Sequence, residues 1–460
     1  MNWFTTGGWE VDRHGERLFR DDAGLPGGLQ GVRARLRRAY LRHIDRCNAA
    51  FSELLHQHGI ETIDLPFAGE LLAKVRPAKE PFAVLVLDAC RFDLGCRIAE
   101  ALDGGEPSRR SEVQAARAPL PSITPLGMPF ALADDASHIR IELVGEPSAR
   151  WRVTSHDATQ DLTLAEGRRE WLRKRFKLKP GATTDVKTIL EASPSTPREA
   201  GRLLFVFGDE FDTQGHDGEL KFSGADEHIE RYVRVVRRIR DAGYSTVAIV
   251  TDHGFIHWDP DHDEVESLPT GDILWRSRRA VVGRGLKHPT AIAAPVAGSD
   301  LECRVPRSIN AFRTYGGIGF FHGGATLQEL ITPVIIFRWP KKTEKVAAVL
   351  TPISEITSLT PRVEVRAGIS QTTMFGADAK MTGRQIIVKI VEPASGRRLF
   401  RSQSHKVEAE GQPLTVTLER EPNETCSRGT RLQVEVRDAD NDELLDRCDV
   451  ELKVDLEEWD

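Results

Sequence analysis

The chain has 460 residues, 40% hydrophobic and 29% charged, with a net charge of −6. That length suits two or three domains, and that charge excludes a protein that coats nucleic acid wholesale, while leaving room for local basic patches. The six cysteines form no C-x-x-C pair, which excludes a thiolate zinc site and fits a reducing compartment.

Met1-Asn2-Trp3-Phe4 carries neither the basic nor the apolar stretch of a secretory leader. The longest apolar runs, such as Val334–Phe337, are too short to span a bilayer. A cytoplasmic protein without a membrane segment is expected. Cys426 and Cys448 fall in one expected domain, but no disulfide is expected between them.

Residues 1–80 read as a helical N-terminal segment. From Gly31 to Gln57, Val32, Leu36, Tyr40, Ile44, Cys47, Phe51 and Leu55 recur near a 3.6 period, which predicts one buried helix face. Arg38, Arg42 and Arg46 form a stripe at i, i+4 and i+8 on the same helix. That stripe reads as a solvated face; a phosphate- or partner-contacting surface is the alternative.

Residues 81–340 alternate short apolar runs with helical patterns, which predicts an α/β domain with a mainly parallel sheet. The expected strands are Phe82–Leu87, Ile139–Val144, Leu203–Phe207, Thr246–Val250 and Pro333–Phe337, nearly continuous apolar runs of the kind covered on both faces. Ile229, Val233, Val236 and Ile239 predict a helix over Ala225–Ala242. Residues 150–200 interrupt the pattern. There Arg173, Lys174 and Arg175 lie among further basic residues, Trp171 and Phe176, which suits a cap that grips a polyanion by charge and stacking. A basic surface helix with two residues tucked inward is the equal alternative.

After Trp339-Pro340-Lys341-Lys342 the period changes to two. Val363–Val365, Gln385–Val391, Leu414–Leu418, Leu432–Val436 and Val450–Val454 read as strands, and Asp438–Asp442 as a hairpin loop. Residues 345–460 are therefore expected to form an immunoglobulin-like β-sandwich.

Chemistry concentrates in the α/β region. Asp88 ends an apolar strand, where an unpaired carboxylate would be costly to bury. Thr124 stands in Pro121-Ser122-Ile123-Thr124-Pro125, where Pro125 suits the start of a helix. Pro129 is expected to end that helix early. Asp212-Thr213-Gln214-Gly215-His216, Thr251-Asp252-His253-Gly254 and His322-Gly323-Gly324 follow in order. Each piece alone has a bland reading as a turn or a surface pair; the ordered set is what points to a two-metal phosphoester site. Two divalent ions can stabilise both the attacking and the leaving oxygen and lower the pKa of a hydroxyl. Imidazole and carboxylate ligands suit zinc, with manganese the alternative. Asp212, His216 and His322 would hold one ion, and Asp88, Asp252 and His253 the other, with Thr124 as nucleophile. Ser122 is the rival nucleophile. Asp93, Asp209, Glu210, Asp217 and His257 are neighbours whose role stays open.

Those segments, with Leu85–Asp93 and His322–Ile331, resemble the PglZ domain, a branch of the alkaline phosphatase superfamily, over roughly residues 80–340. The resemblance implies an alkaline-phosphatase-like core, two zinc ions with the ligand split above, and Thr124 at the nucleophile position. The family often has Ser where Ala325 stands. The resemblance also implies a phosphodiesterase acting on nucleotides or nucleic acid within a bacterial antiphage defence system, alongside partner defence proteins. A non-catalytic scaffold and a phosphomonoesterase are the alternatives. No sulfatase-type Cys-x-Pro-Ser-Arg motif occurs, so sulfate esters are not the expected substrate.

Overall fold

The structure is a computed structural model. It describes residues 2–19, 26–77, 80–104, 111–145, 149–191, 200–218, 220, 225–257, 265–314, 319–338, 345–368, 383–408, 412–422 and 424–456. Trp339–Lys342, where the sequence pattern changes, lies outside them. The chain divides into two compact units, Met1–Arg338 and Trp339–Asp460.

The first unit is built on a six-stranded sheet of β1 (Phe82–Leu87), β2 (Ser111–Arg117), β3 (Thr183–Asp185), β4 (Leu203–Gly208), β5 (Thr246–Thr251) and β6 (Ile331–Arg338), in the order β2-β6-β5-β1-β4-β3. Strands β5, β1, β4 and β3 are parallel; β6 pairs antiparallel with β5, and β2 pairs antiparallel with β6, so β2 again runs with the parallel set. Every residue of β1 and β5 is buried, as their unbroken apolar runs require. The helices of this unit include α1 (Glu10–Glu16), α2 (Gly27–His58), α3 (Phe92–Asp103), α4 (Thr124–Leu132), α5 (Ala165–Phe176), α6 (Glu210–Asp217) and α7 (Asp226–Asp241).

Several expectations need correction. Ile139–Val144 is a strand, but it pairs only with Arg150–Ser155 as a hairpin outside the main sheet. Its Ile139 and Ile141 point inward while Arg140 and Glu142 are exposed, the alternation of a half-covered strand rather than a central one. Pro333–Phe337 lies in β6, which runs antiparallel to its neighbours. Within the 150–200 region, β3 joins the main sheet beside β4, so that region is partly built into the core. Residues 270–305 add an antiparallel four-stranded sheet that the sequence pattern does not reveal; Gly283 and Gly285 break its apolar alternation. In α2, Tyr40, Ile44, Phe51 and Leu55 are buried as expected, but Val32 and Leu36 are 51% and 53% exposed. The apolar period continues there, but nothing among the described residues covers it. Helix α4 runs through Pro129 to Leu132. Proline removes one backbone bond there, and burial of every residue from Leu126 to Leu132 outweighs that loss.

The second unit is a two-sheet β-sandwich of the immunoglobulin-like kind, with sheets of three and seven strands that are antiparallel except for one short edge pairing. Alternate residues of Arg362–Gly368, Arg384–Val391 and Arg431–Asp438 meet in its core, among them Val363, Val365, Ile386, Val388, Val434 and Val436. All six cysteines are free. Among the described residues, no helix is long and apolar enough to cross a membrane.

Candidate active site

The sheet register builds the site. Leu87 of β1 aligns with Gly208 of β4 and with Thr251 of β5. The residues that follow, Asp88 and Asp252, therefore leave the carboxyl edge side by side, where open α/β sheets bind ligands. Ala89 is held in the left-handed region (φ 55°), unusual for a residue with a Cβ. This turn directs its N–H onto Asp252 Oδ1 at 3.1 Å, while Cys90 N–H donates to Thr251 Oγ1 at 3.0 Å.

Thr124 is the first residue of α4, with Ile123 in the capping position. Gly127, one turn on, lies so close to β5's end that a Cβ would stand 2.7 Å from the Asp252 carbonyl oxygen. Helix α4 thus sits against the carboxylate, and Thr124 Oγ1 comes to 3.2 Å from Asp88 Oδ1 and 3.1 Å from His253 Nε2.

His253 is buried, with Nδ1 3.0 Å from the Gly254 carbonyl. A carbonyl accepts only from a protonated nitrogen, so Nε2 presents a lone pair, 3.3 Å from Asp252 Oδ2 and 3.7 Å from Asp88 Oδ1. His322 follows the same logic, with Nδ1 3.4 Å from the Ser122 carbonyl. Its Nε2 meets Asp212 Oδ1 at 3.5 Å and His216 Nε2 at 3.1 Å, and His216 Nε2 is also 3.5 Å from Asp212 Oδ1. The rings of His253 and His322 stack at 4.3 Å. All seven residues therefore gather at one sheet edge. His216 is the outermost, its side chain 55% exposed. Ligand atoms of Asp88, Asp252 and His253 lie within 4.8 Å of one another, and so do those of Asp212, His253 and His322. His253 thus stands between two ligand groups.

Electrostatics explains what such a cluster lacks. Burial, together with Asp252 and Asp212, raises the Asp88 carboxyl well above the usual range. Burial pushes Asp252 up to about 6. Burial and the neighbouring His253 push His322 down to about 4, and burial lowers His253 as well. These groups are desolvated with too little positive charge among them. Asp212 Oδ1 and Asp252 Oδ2 are buried with no hydrogen-bond partner. Orphaned carboxylate oxygens beside imidazole lone pairs fit divalent cations.

A polar frame that the sequence reading missed supports the loop bearing His322. Buried Glu329 accepts from Gly324 N–H at 2.9 Å and Thr326 Oγ1 at 2.7 Å, and pairs with Arg279 at 2.6 Å. Gly323 at φ 117° gives the turn after His322 a conformation that favours glycine. Asn48 of α2 donates to Gln328 Oε1 at 2.9 Å and accepts from Leu327 N–H at 2.8 Å. Asp12 of α1 accepts from Gln328 at 2.9 Å. Arg91 binds Asp93 at 2.8 Å and Glu16 at 3.2 Å, and His257 stands 3.3 Å from Glu16. The N-terminal helices are thus bonded directly to segments that carry site residues. Arg91, Asp93, Gln328 and Glu329 lie within the segments that carry the family resemblance, but no local motif marks Asn48, whose only signal is a polar residue on an otherwise apolar helix face between Ile44 and Phe51.

Ser122 Oγ donates to the Gly324 carbonyl at 2.8 Å and accepts from Gly323 N–H at 3.2 Å, which gives it a structural task. Glu210 is bound to Tyr232 at 2.7 Å and Arg231 at 3.0 Å. Arg173, Lys174 and Arg175 pair with Glu166, Glu170 and Asp134 at 2.5, 2.7 and 3.0 Å. None of the three lines the cavity beside Asp88, which instead takes Ala165, Arg168 and Arg169 from the same helix.

The PglZ family, described as the BREX system PglZ alkaline phosphatase-like domain, matches residues 73–337, more than half of the chain. The chain is 24% identical over 308 residues to the alkaline phosphatase-like protein PglZ of Bacillus cereus (strain H3081.97), covering 62% of this chain and 34% of that protein. It is 23% identical over 286 residues to the alkaline phosphatase-like protein BrxZ of Escherichia coli O9:H4 (strain HS), covering 56% and 30%. The chain thus spans about a third of the length of these curated relatives. Among solved structures, murine ectonucleotide pyrophosphatase/phosphodiesterase 5 aligns with 56% of this chain and 88% of its own, at 11% identity and a TM-score of 0.35. The chain belongs to the PglZ family.

Proposed function

We propose that this PglZ-family chain is a metal-dependent phosphodiesterase that acts on nucleotides or nucleic acid within a bacterial antiphage defence system. The observation that carries the reading is the convergence of Asp88, Asp212, Asp252, His216, His253 and His322 around Thr124 Oγ1, with two buried carboxylate oxygens left without partners. Asp88, Asp252 and His253 would hold one divalent ion, and Asp212, His216 and His322 a second, zinc or manganese. When bound, such a pair supplies positive charge to the attacking and leaving oxygens and lowers the pKa of a hydroxyl.

The chain's own residues then do the rest. Helix α4 aims Thr124 Oγ1 into the cluster, and its N-terminus favours the anionic oxygens of the substrate. Thr124 Oγ1 gives its proton to water and bonds to phosphorus, and the bond from phosphorus to the leaving oxygen breaks. The departing alkoxide takes its proton from water. Water then cleaves the phosphothreonine ester and restores the hydroxyl. The ring tautomers fixed by Gly254 and Ser122 keep both Nε2 atoms unprotonated, as ligands must be.

Turnover of bis(p-nitrophenyl) phosphate with zinc or manganese tests this reading. It should fall by at least about 1,000-fold in Thr124→Ala, and retained turnover would remove Thr124 from the chemistry. Equal or faster turnover of p-nitrophenyl phosphate would make the protein a monoesterase. No turnover of either ester by ion-loaded protein would favour a scaffold.

A further inference from the structure

Four arginines are buried among the described residues: Arg91, Arg97, Arg168 and Arg279. Three are paired with carboxylates: Arg91 with Asp93 and Glu16, Arg97 with Asp226, and Arg279 with Glu329. Arg168 is the exception. It is 7% exposed, and its Nη1 donates to the carbonyls of Leu162 at 3.1 Å and Thr163 at 2.8 Å. Its Nε is buried with no hydrogen-bond partner, and no carboxylate stands within ion-pair distance of it among the described residues. A buried guanidinium satisfied on one side only by neutral carbonyls is costly. Such a residue is expected where a ligand completes it.

Arg168 lines a cavity of about 440 Å³, within the size range of small-molecule sites, and Asp88 lines the same cavity. Val86, Met128, Val186 and Phe207 supply apolar wall. The other charges are mostly spoken for: Arg169 pairs with Asp185, Glu210 is held by Arg231 and Tyr232, and Lys187 faces Glu191 at 3.9 Å. Asp209 is exposed at the rim. Asp252 and Asp88 favour the charged form of Arg168, against the effect of its burial. Both are ligands in the reading above, so with cations in place their charge no longer offsets the guanidinium.

We propose that this cavity binds a second phosphate group of the substrate, beside the ester being cleaved, with Arg168 as the cation that receives it. The inference rests on the functional reading for the position of the scissile ester. It restricts the substrate class to molecules with at least two phosphates, such as an oligonucleotide or a nucleoside bisphosphate.

Isothermal titration of ion-loaded Thr124→Ala protein with thymidine 3′,5′-bisphosphate and with thymidine 5′-monophosphate tests it without turnover. The bisphosphate should bind at least about tenfold more tightly, as a charge-assisted pair implies. Adding Arg168→Gln should abolish that preference and leave the monophosphate affinity in place, while Arg168→Lys should keep part of it. Equal affinities with Arg168 intact, no binding of either nucleotide, or a preference that survives Arg168→Gln would each overturn the proposal. The first two outcomes need no Arg168 variant, so a misfolded variant cannot shelter the idea. A preference for the bisphosphate in a protein that cleaves no ester would sink the functional reading alone; active protein with no preference would sink only this one.

Discussion

Asp252 is a carboxylate kept in an unfavourable place, and removing its charge should stabilise the ion-free protein. Its Oδ1 accepts from Ala89 N–H at 3.1 Å and His253 N–H at 2.8 Å, but its buried Oδ2 has no partner. Burial raises its pKa from 3.8 to about 6. The folded state therefore binds this proton more tightly than the unfolded chain does. The resulting penalty is absent below pH 4, grows as pH rises, and is complete above pH 6. A shift of that size corresponds to about 3 kcal/mol. Asp252→Asn retains an oxygen for the two N–H donors and turns an amide towards the His253 lone pair. With chelator at pH 8, its melting temperature should exceed that of the native protein by roughly 5 °C. Near pH 4 the difference should vanish. Zinc or manganese should raise the native melting temperature and raise the variant's much less, because the variant lacks a proposed ligand. A variant less stable than the native protein at pH 8 in chelator, or an undiminished response to the ions, would refute the reasoning.

Other positions extend the test. Gly127→Ala places a Cβ 2.7 Å from the Asp252 carbonyl oxygen; it should cost about 1–3 kcal/mol in chemical denaturation and weaken ion binding measured by titration. Asn48→Ala leaves Leu327 N–H and Gln328 without their buried partner; a loss of roughly 3 kcal/mol is expected, and an unchanged melting temperature would show that α2 does not brace the His322 loop. Burial raises the Glu16 carboxyl, but His257 and Arg91 outweigh it and hold the group at about 2. Its stabilisation is present above pH 4.5 and lost as pH falls towards 2. Glu16→Gln should therefore cost about 3 kcal/mol at pH 7, with the gap to the native protein narrowing across that acid range.

Much of the site was legible because it depends on local patterns. A strand that must be apolar on both faces announces itself, and a carboxylate at its end stands out against it, as Asp88 does after Phe82–Leu87 and Asp252 after Thr246–Thr251. The β-sandwich strands were readable for a related reason, since period two in Arg384–Val391 and Arg431–Asp438 is the signature of a sheet with one covered face. The 270–305 sheet escaped because its glycines and charges leave no clean period. Arg168 escaped because nothing local separates it from the exposed basic residues on the same helix; whether an arginine is buried and half-satisfied depends on what packs over it.

The sequence by itself determined which carboxylates, imidazoles and hydroxyl are available for the proposed site, and the order in which they arrive. Those properties reside in side-chain chemistry and in the periodicity of short segments. Tertiary structure decided the rest. Strand register set Asp88 and Asp252 at one level, close packing at Gly127 brought Thr124 onto them, and buried bonds from Asn48 and Asp12 fixed the segment after His322. These outcomes arise from contacts between residues up to about 300 positions apart, and a contact across that distance leaves no trace in the period or composition of either segment.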